Sequence, residues 1–183
     1  MEQQYWRNIE AFEGEGFREL METYGQRVWD FAFYMTRRFD LADDVTQDVF
    51  LQAYRRIGTF RGQSSMQTWL LAITRNVALN YRRASFFRKV VLVDRPIERV
   101  NGSSPSAEQE AMSRSRSEEL WRVVMVLPVK YREVLLLDAK YDLSLEEIAS
   151  VLDIPLGTVK SRLSRARSKV TEAWKEEAQY ERA

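Results

Sequence analysis

Ile154-Pro-Leu-Gly-Thr-Val-Lys-Ser-Arg-Leu-Ser-Arg-Ala-Arg-Ser-Lys-Val170 decides how the rest of the chain is read. The stretch carries Lys160, Arg162, Arg165, Arg167 and Lys169 and no acid. Val159, Leu163, Ala166 and Val170 step by four, three and four, which predicts one apolar helical face. Pro155 suits a first helical turn, where its missing N–H has no partner to lose. Just upstream, Leu143-Ser-Leu-Glu-Glu-Ile-Ala-Ser-Val-Leu152 predicts a shorter helix. Ser144 is its N-cap and Glu147 closes a capping box. Two helices joined by the tight Asp153-Ile-Pro connection have the shape of a helix-turn-helix. Val159 and Leu163 would then pack on Ile148 and Leu152. Lys160, Ser161, Ser164 and Arg165 would face outward, able to reach base edges of duplex DNA. A solvated basic face is the plain alternative, although such faces usually mix acids among the bases.

The 183 residues suffice for one large domain or two small ones. Net charge is only +1, so a nucleic-acid surface must come from segregation of charge. Segregation is present: Arg75 to Arg95 holds six bases and one acid, whereas Glu108 to Asp153 holds ten acids and six bases. The chain has no cysteine, hence no disulfide, which fits a reducing cytoplasm. It has no histidine, which removes the usual general base and the commonest metal ligand. No apolar run approaches membrane-spanning length, and the N-terminus lacks a signal-peptide pattern.

Residues 1–15 read as a short helix or a frayed arm. From Phe17, apolar residues through Met35 recur mostly at spacings of three and four, which predicts a helix whose aromatics build a core. Arg37-Arg-Phe-Asp40 is a break, with Asp40 a candidate N-cap. Leu41 to Ile57 is again amphipathic. Asp43, Asp44 and Asp48 cluster near its start, where acids suit the helix dipole. They also read, with Gln47, as an acidic docking surface for a basic partner. As metal ligands they are poor, since nothing else completes a site. Gly58 to Ser65 is a loop, and Met66 to Arg83 a long helix ending in two arginines. A loop with an aromatic, followed by Trp69, Arg75 and Asn76 on a helix, suits single-stranded nucleic acid; a Trp-anchored core helix with a basic tail fits equally. Residues 86–107 carry linker chemistry around Pro96, Gly102 and Pro105. Val90 to Val93 is the one strand candidate. Helical character resumes near Ala107, and Pro128 starts a further apolar helix.

Four segments in this order resemble the bacterial extracytoplasmic-function (ECF, group 4) sigma factors, a family of RNA polymerase specificity subunits. Asp43-Asp-Val-Thr-Gln-Asp-Val-Phe-Leu-Gln-Ala-Tyr54 is similar to the family's polymerase-docking helix. Phe60-Arg-Gly-Gln-Ser-Ser-Met-Gln-Thr-Trp-Leu-Leu-Ala-Ile-Thr-Arg-Asn76 is similar to its −10 loop and helix. Leu127-Pro-Val-Lys-Tyr-Arg-Glu-Val-Leu135 is similar to the start of its second domain, and Gly157 to Arg167 to its −35 reader. The resemblance implies an all-α fold of two small helical domains, a sigma-2-like bundle over 1–85 and a sigma-4-like helix-turn-helix domain over 108–183. A flexible linker over 86–107 joins them.

The resemblance also implies a role without catalysis or cofactor: an alternative sigma factor that binds core polymerase, reads both promoter elements and helps melt the −10 element. Polymerase binding through the clamp coiled coil falls on Asp43, Asp44, Gln47, Asp48, Phe50, Leu51 and Tyr54; the polymerase flap is a further contact of the family. Capture of a flipped −10 base falls on Phe60, Ser64, Ser65, Met66, Gln67, Trp69, Asn76 and Asn80, with Arg75, Arg82 and Arg83 on phosphates. Reading of the −35 element falls on Lys160, Ser161, Ser164 and Arg165, the last by bidentate pairing with guanine. Thr158, Arg162 and Arg167 would hold phosphates. An anti-sigma partner, membrane-anchored in many systems, and a bacterial cytoplasmic location follow from the family, with no insertion of this chain into a membrane. Three positions depart from the usual pattern: the Ser-Ser-Met-Gln tip of the capture loop, Asp153 where a turn glycine is common, and the small Ser164. A stand-alone DNA-binding regulator is the competing reading; an enzyme would have only carboxylates to work with.

Overall fold

The computed structural model describes residues 15–91 and 116–180, all of their regular structure helical. Among the described residues, three helices form the first unit: α1 (Glu15–Thr36), α2 (Phe39–Arg56) and α3 (Met66–Val91), with a 3-10 turn at Ile57–Thr59. Four form the second: α4 (Arg116–Val126), α5 (Val129–Ala139), α6 (Leu145–Leu152) and α7 (Leu156–Tyr180).

The apolar spacing sets the packing. Leu20, Val28, Phe31 and Met35 of α1, Val45 and Val49 of α2, and Leu70, Leu71 and Val77 of α3 are buried in one bundle core. Residues three and four apart share a helix face, so each helix contributes one stripe. In the second unit Val134 and Leu137 of α5, Ile148 and Leu152 of α6, and Val159, Leu163 and Ala166 of α7 are buried together. The two cores are continuous. Phe31 of α1 meets Tyr141, which follows α5, edge-on at 5.4 Å.

The turns use left-handed residues where the chain must reverse. Arg37 ends α1 at φ 60°, Asp142 follows α5 at φ 54°, and Asp153 caps α6 at φ 51°. Asp tolerates this region because its short side chain bonds locally, so the helix-turn-helix closes without glycine. Ser144 caps α6: its Oγ accepts from the Glu147 N–H at 3.2 Å, and Glu147 accepts from the Ser144 N–H at 3.0 Å. The Ser144 hydrogen bonds hold the Glu147 carboxyl below its ordinary range against the effect of burial.

Several boundaries differ from expectation. Asp40 does not cap α2. The cap position is Arg38, extended and without a side-chain bond, and Asp40 lies in the first turn, ion-paired to Arg38. Phe39 stacks on Phe33 at 4.6 Å, which draws the helix start forward. Pro155 stands just before α7 and not inside it; its carbonyl accepts from the Thr158 N–H at 2.8 Å. The expected linker start at 86 is helical, because nothing before Pro96 breaks a helix and α3 runs on to Val91. Val90 and Val91 are therefore helical; Leu92 and Val93, the rest of the linker, the resumption of helix near Ala107 and the N-terminal arm lie outside the described residues.

Ser144→Ala removes one half of the capping box and is expected to cost about 1 kcal/mol. Urea unfolding followed by helical circular dichroism measures it; an unchanged midpoint would contradict the role of the cap.

Candidate nucleic-acid and polymerase interfaces

Helix α7 separates its faces as its spacing demands. Val159, Leu163 and Ala166 are buried, while Lys160, Ser161, Ser164 and Arg165 are exposed. Ser161 Oγ is turned back onto the Thr158 carbonyl at 3.0 Å, and Thr158 itself is half-buried. Arg165 lies beside the Tyr131 hydroxyl, and the ring of Tyr131 has Lys130 and Lys169 at 5.1 and 5.9 Å. Burial acts to raise the Tyr131 phenol, yet Lys130, Arg165 and Lys169 together hold it below its ordinary value. This corner therefore concentrates positive potential. Arg162 and Arg167 are partnered within the chain, to Glu133 at 3.3 Å and to Asp138 at 2.9 Å.

The start of α3 and its preceding loop form the second surface. Gly62, at φ 66°, supplies the loop's left-handed turn. Ser65 is the N-cap of α3, its Oγ accepting from the Thr68 N–H at 3.1 Å. Ser64 Oγ donates to the Ser65 carbonyl at 3.3 Å. Phe60 packs on Trp69 with centroids 5.3 Å apart, and both rings stay half-exposed. Met66 is buried at 4 % exposure, so it braces the loop from inside and offers little surface. Asn76, Asn80 and Arg83 are exposed along α3 and Arg82 is half-buried. Gln67 and Arg75 are engaged by the second unit: Gln67 Nε2 donates to the Tyr141 carbonyl at 3.0 Å, and Arg75 pairs with Glu133 at 3.0 Å.

The third surface lies on α2. Asp44 and Gln47 are exposed. Leu51 and Tyr54 are about half exposed, whereas Phe50 is buried and meets Phe17 edge-on at 6.2 Å. Two of the acids have internal partners. Asp43 accepts from the Trp29 indole N–H at 2.7 Å, and Asp48 accepts from the Tyr81 hydroxyl at 2.8 Å. Between α1 and α2 runs a shallow groove of about 520 Å³ with Met21, Trp29, Gln47 and Leu51 in its walls. Exposed Phe39 and Met21 extend its apolar character.

Sequence reasoning missed Glu133, Arg132 and Tyr141. Arg132 and Glu133 are both only 2 % exposed. The signal was there, two charges inside the apolar run Tyr131 to Leu137. Among the described residues no group of three or more acids is placed so that it could hold a metal ion.

Two family models match the chain, one on each unit. Sigma-70 region 2 matches residues 20–85 and Sigma-70 region 4 matches residues 117–170. The ECF RNA polymerase sigma-E factor of Escherichia coli (strain K12) is 39 % identical over 171 residues, 88 % of each chain. The RNA polymerase sigma factor YlaC of Bacillus subtilis (strain 168) is 29 % identical over 153 residues, 84 % of this chain and 88 % of that protein. Among solved structures, the sigma factor RpoE in complex with the anti-sigma factor NepR from Bartonella quintana superposes with a TM-score of 0.73 at 24 % identity, covering 88 % of this chain and 98 % of that one. CnrH, solved with the cytosolic domain of CnrY, gives 0.68 at 21 % identity, covering 96 % and 97 %.

The Asp48–Tyr81 bond is open to direct test. Asp48 raises the Tyr81 phenol to about 12, through the hydrogen bond first and then burial and charge. The folded value lies above the unfolded one, so the bond's contribution is full below about 10 and is lost as pH rises through the folded value. Asp48→Asn is expected to lower the Tyr81 transition in an ultraviolet pH titration; no movement would contradict the bond.

Proposed function

The chain belongs to the extracytoplasmic-function sigma factors, which direct RNA polymerase to initiate transcription, and on that premise we propose how its own surfaces divide the work. The reading rests on α7, whose apolar stripe is buried while Lys160, Ser164 and Arg165 project outward from the second helix of a helix-turn-helix. Arg165 reads a guanine of the −35 element through its two-pronged donor edge, with Lys160, Ser161 and Ser164 on neighbouring bases. Thr158, Arg162 and Arg167 set register on phosphates. For Arg162 and Arg167 this requires exchange of Glu133 and Asp138 for phosphate.

The first unit takes the −10 element. Phe60 and Trp69 offer paired ring surfaces for an unstacked base, with Ser64, Ser65 and Gln67 as hydrogen-bonding groups around them and Met66 packing beneath. Flipping costs a few kcal/mol of stacking, which such contacts return. Asn76 and Asn80 continue along the strand, and Arg75, Arg82 and Arg83 hold its phosphates. Core polymerase docks on α2. Asp44 and Gln47 face a basic partner, Leu51 and Tyr54 supply buried anchor area, and Asp43, Asp48 and Phe50 shape the ridge from behind. The family's clamp coiled coil fits this ridge. Its flap fits the apolar groove of about 670 Å³ bordered by Trp121, Val124, Leu135 and Val170.

The role is one of binding and not of catalysis, carried out in the bacterial cytoplasm. An anti-sigma protein belongs to the same reading, laid over the docking helix or the helix-turn-helix; RpoE was captured with the anti-sigma factor NepR, and CnrH with the cytosolic domain of CnrY. Copurification from unstressed cells tests it, and recovery of polymerase alone would count against the partner.

Two substitutions test the division of labour in reconstituted holoenzyme. Arg165→Ala is expected to lose roughly 1–3 kcal/mol of discrimination at one −35 base while polymerase binding persists; an unchanged −35 footprint and base preference would refute the assignment. Asp44→Arg, which touches no internal bond described above, is expected to abolish co-elution with core enzyme with the helical spectrum preserved. Normal co-elution would remove α2 from the interface.

A further inference from the structure

Helix α5 supplies a partner to each of the three arginines of α7. Glu133 holds Arg162 at 3.3 Å and Asp138 holds Arg167 at 2.9 Å. Arg165 stands instead beside the Tyr131 hydroxyl. Tyr131 lies near the start of α5 and is 8 % exposed, so its ring is fixed by packing. Lys169 Nζ lies 5.9 Å from the ring centroid. Arg165 is four residues before Lys169, one turn away on the same face of α7. A ring that meets Lys169 is therefore within reach of Arg165 as well. Lys130 Nζ, from α5 itself, completes the corner at 5.1 Å. Lys130, Arg165 and Lys169 are all exposed.

The three partners differ in chemistry. A carboxylate has a charge and two oxygens, so it can take both prongs of a guanidinium. A protonated phenol has no charge and one oxygen, so it steadies a guanidinium and leaves most of its five donors free. An arginine side chain carries about 2 kcal/mol of rotamer entropy, and a bidentate base contact needs the fork held in one plane. A fixed acceptor behind the fork removes part of that cost before DNA arrives. Bringing three cations to one ring costs the free fold energy, since like charges a turn apart repel. The face of Tyr131 offsets part of this by attracting the two ammonium groups. The arrangement thus serves an anionic, guanine-bearing partner better than it serves the fold.

We propose that Tyr131 is a positioning residue of the −35 reader: its hydroxyl steadies the Arg165 guanidinium so that the paired donor edge faces the base. The proposal rests on the assignment of Arg165 to a −35 guanine. It makes α5 part of the reading apparatus, although α5 itself stays outside the groove.

The test uses reconstituted holoenzyme and promoter duplexes carrying each base in turn at the position that Arg165 reads. Tyr131→Phe keeps the ring and removes the hydroxyl. It is expected to lower discrimination at that base by up to about tenfold, a part of what a bidentate pair contributes. The other −35 positions and polymerase binding are expected to stay unchanged. In an Arg165→Ala background, Tyr131→Phe is expected to cost nothing further, because both changes disable one device. A merely structural role would add its loss in either background and spread it over every −35 position. A second readout needs no DNA. The cations at this corner hold the Tyr131 phenol below its ordinary value against the effect of burial. Arg165→Ala removes one of them and is expected to raise the Tyr131 transition in an ultraviolet pH titration, where Tyr131→Phe identifies that transition by its absence. A transition unmoved by Arg165→Ala, or additive losses in the double variant, would overturn the positioning. If Arg165→Ala loses the base preference and Tyr131→Phe keeps it, the positioning alone falls. If Arg165→Ala itself keeps the preference, the assignment of Arg165 to the base falls, and the positioning with it.

Discussion

A carboxylate buried between two guanidinium groups is the constraint on which the arrangement of this molecule depends. Taking Glu133 out of water is costly, and the cost is met only because Arg75 and Arg162 both reach it. Removing one partner of such a pair leaves an uncompensated charge, typically a loss of about 3–5 kcal/mol. The position of α7 relative to α3 therefore hangs on a contact that is strong while complete and unstable once broken. The apolar seam of Phe31 and Tyr141 adds area without direction; the ion pairs add register.

The distribution of charge explains how one nearly neutral chain can meet both an acidic and a basic partner. Acids sit on α2, at the start of a helix and toward a groove with exposed apolar walls. Bases follow the outer faces of α3 and α7. In each helix the buried stripe fixes which residues can face outward, so recognition is a by-product of core packing. The arginines that hold Glu133 are chemically suited to phosphate as well, since guanidinium groups bind carboxylate and phosphate with the same planar geometry.

Much of this was legible in residues. The capping box at Ser144 and Glu147, the left-handed turn at Asp153 and the outward face of α7 follow from local rules of helix ends and spacing, and the structure has them. The end of α3 was not legible, because apolar periodicity fades beyond Arg83 whereas a helix continues until something breaks it. Nor was Phe50, whose spacing suits either side of α2 and whose burial depends on Phe17 from another helix. The partners of Asp43 and Asp48, Trp29 and Tyr81, lie 14 and 33 residues away in sequence. Glu133 was the least legible: its place inside an apolar run marks it as unusual, but its partners lie 58 residues before and 29 after it, and nothing local identifies them.

Run-off transcription by core polymerase on a genomic promoter library, with and without this protein, tests the central claim most directly. The account predicts new start sites preceded by two motifs at fixed spacing, present only with the protein. No new starts, together with duplex DNA binding by the protein alone, would contradict it.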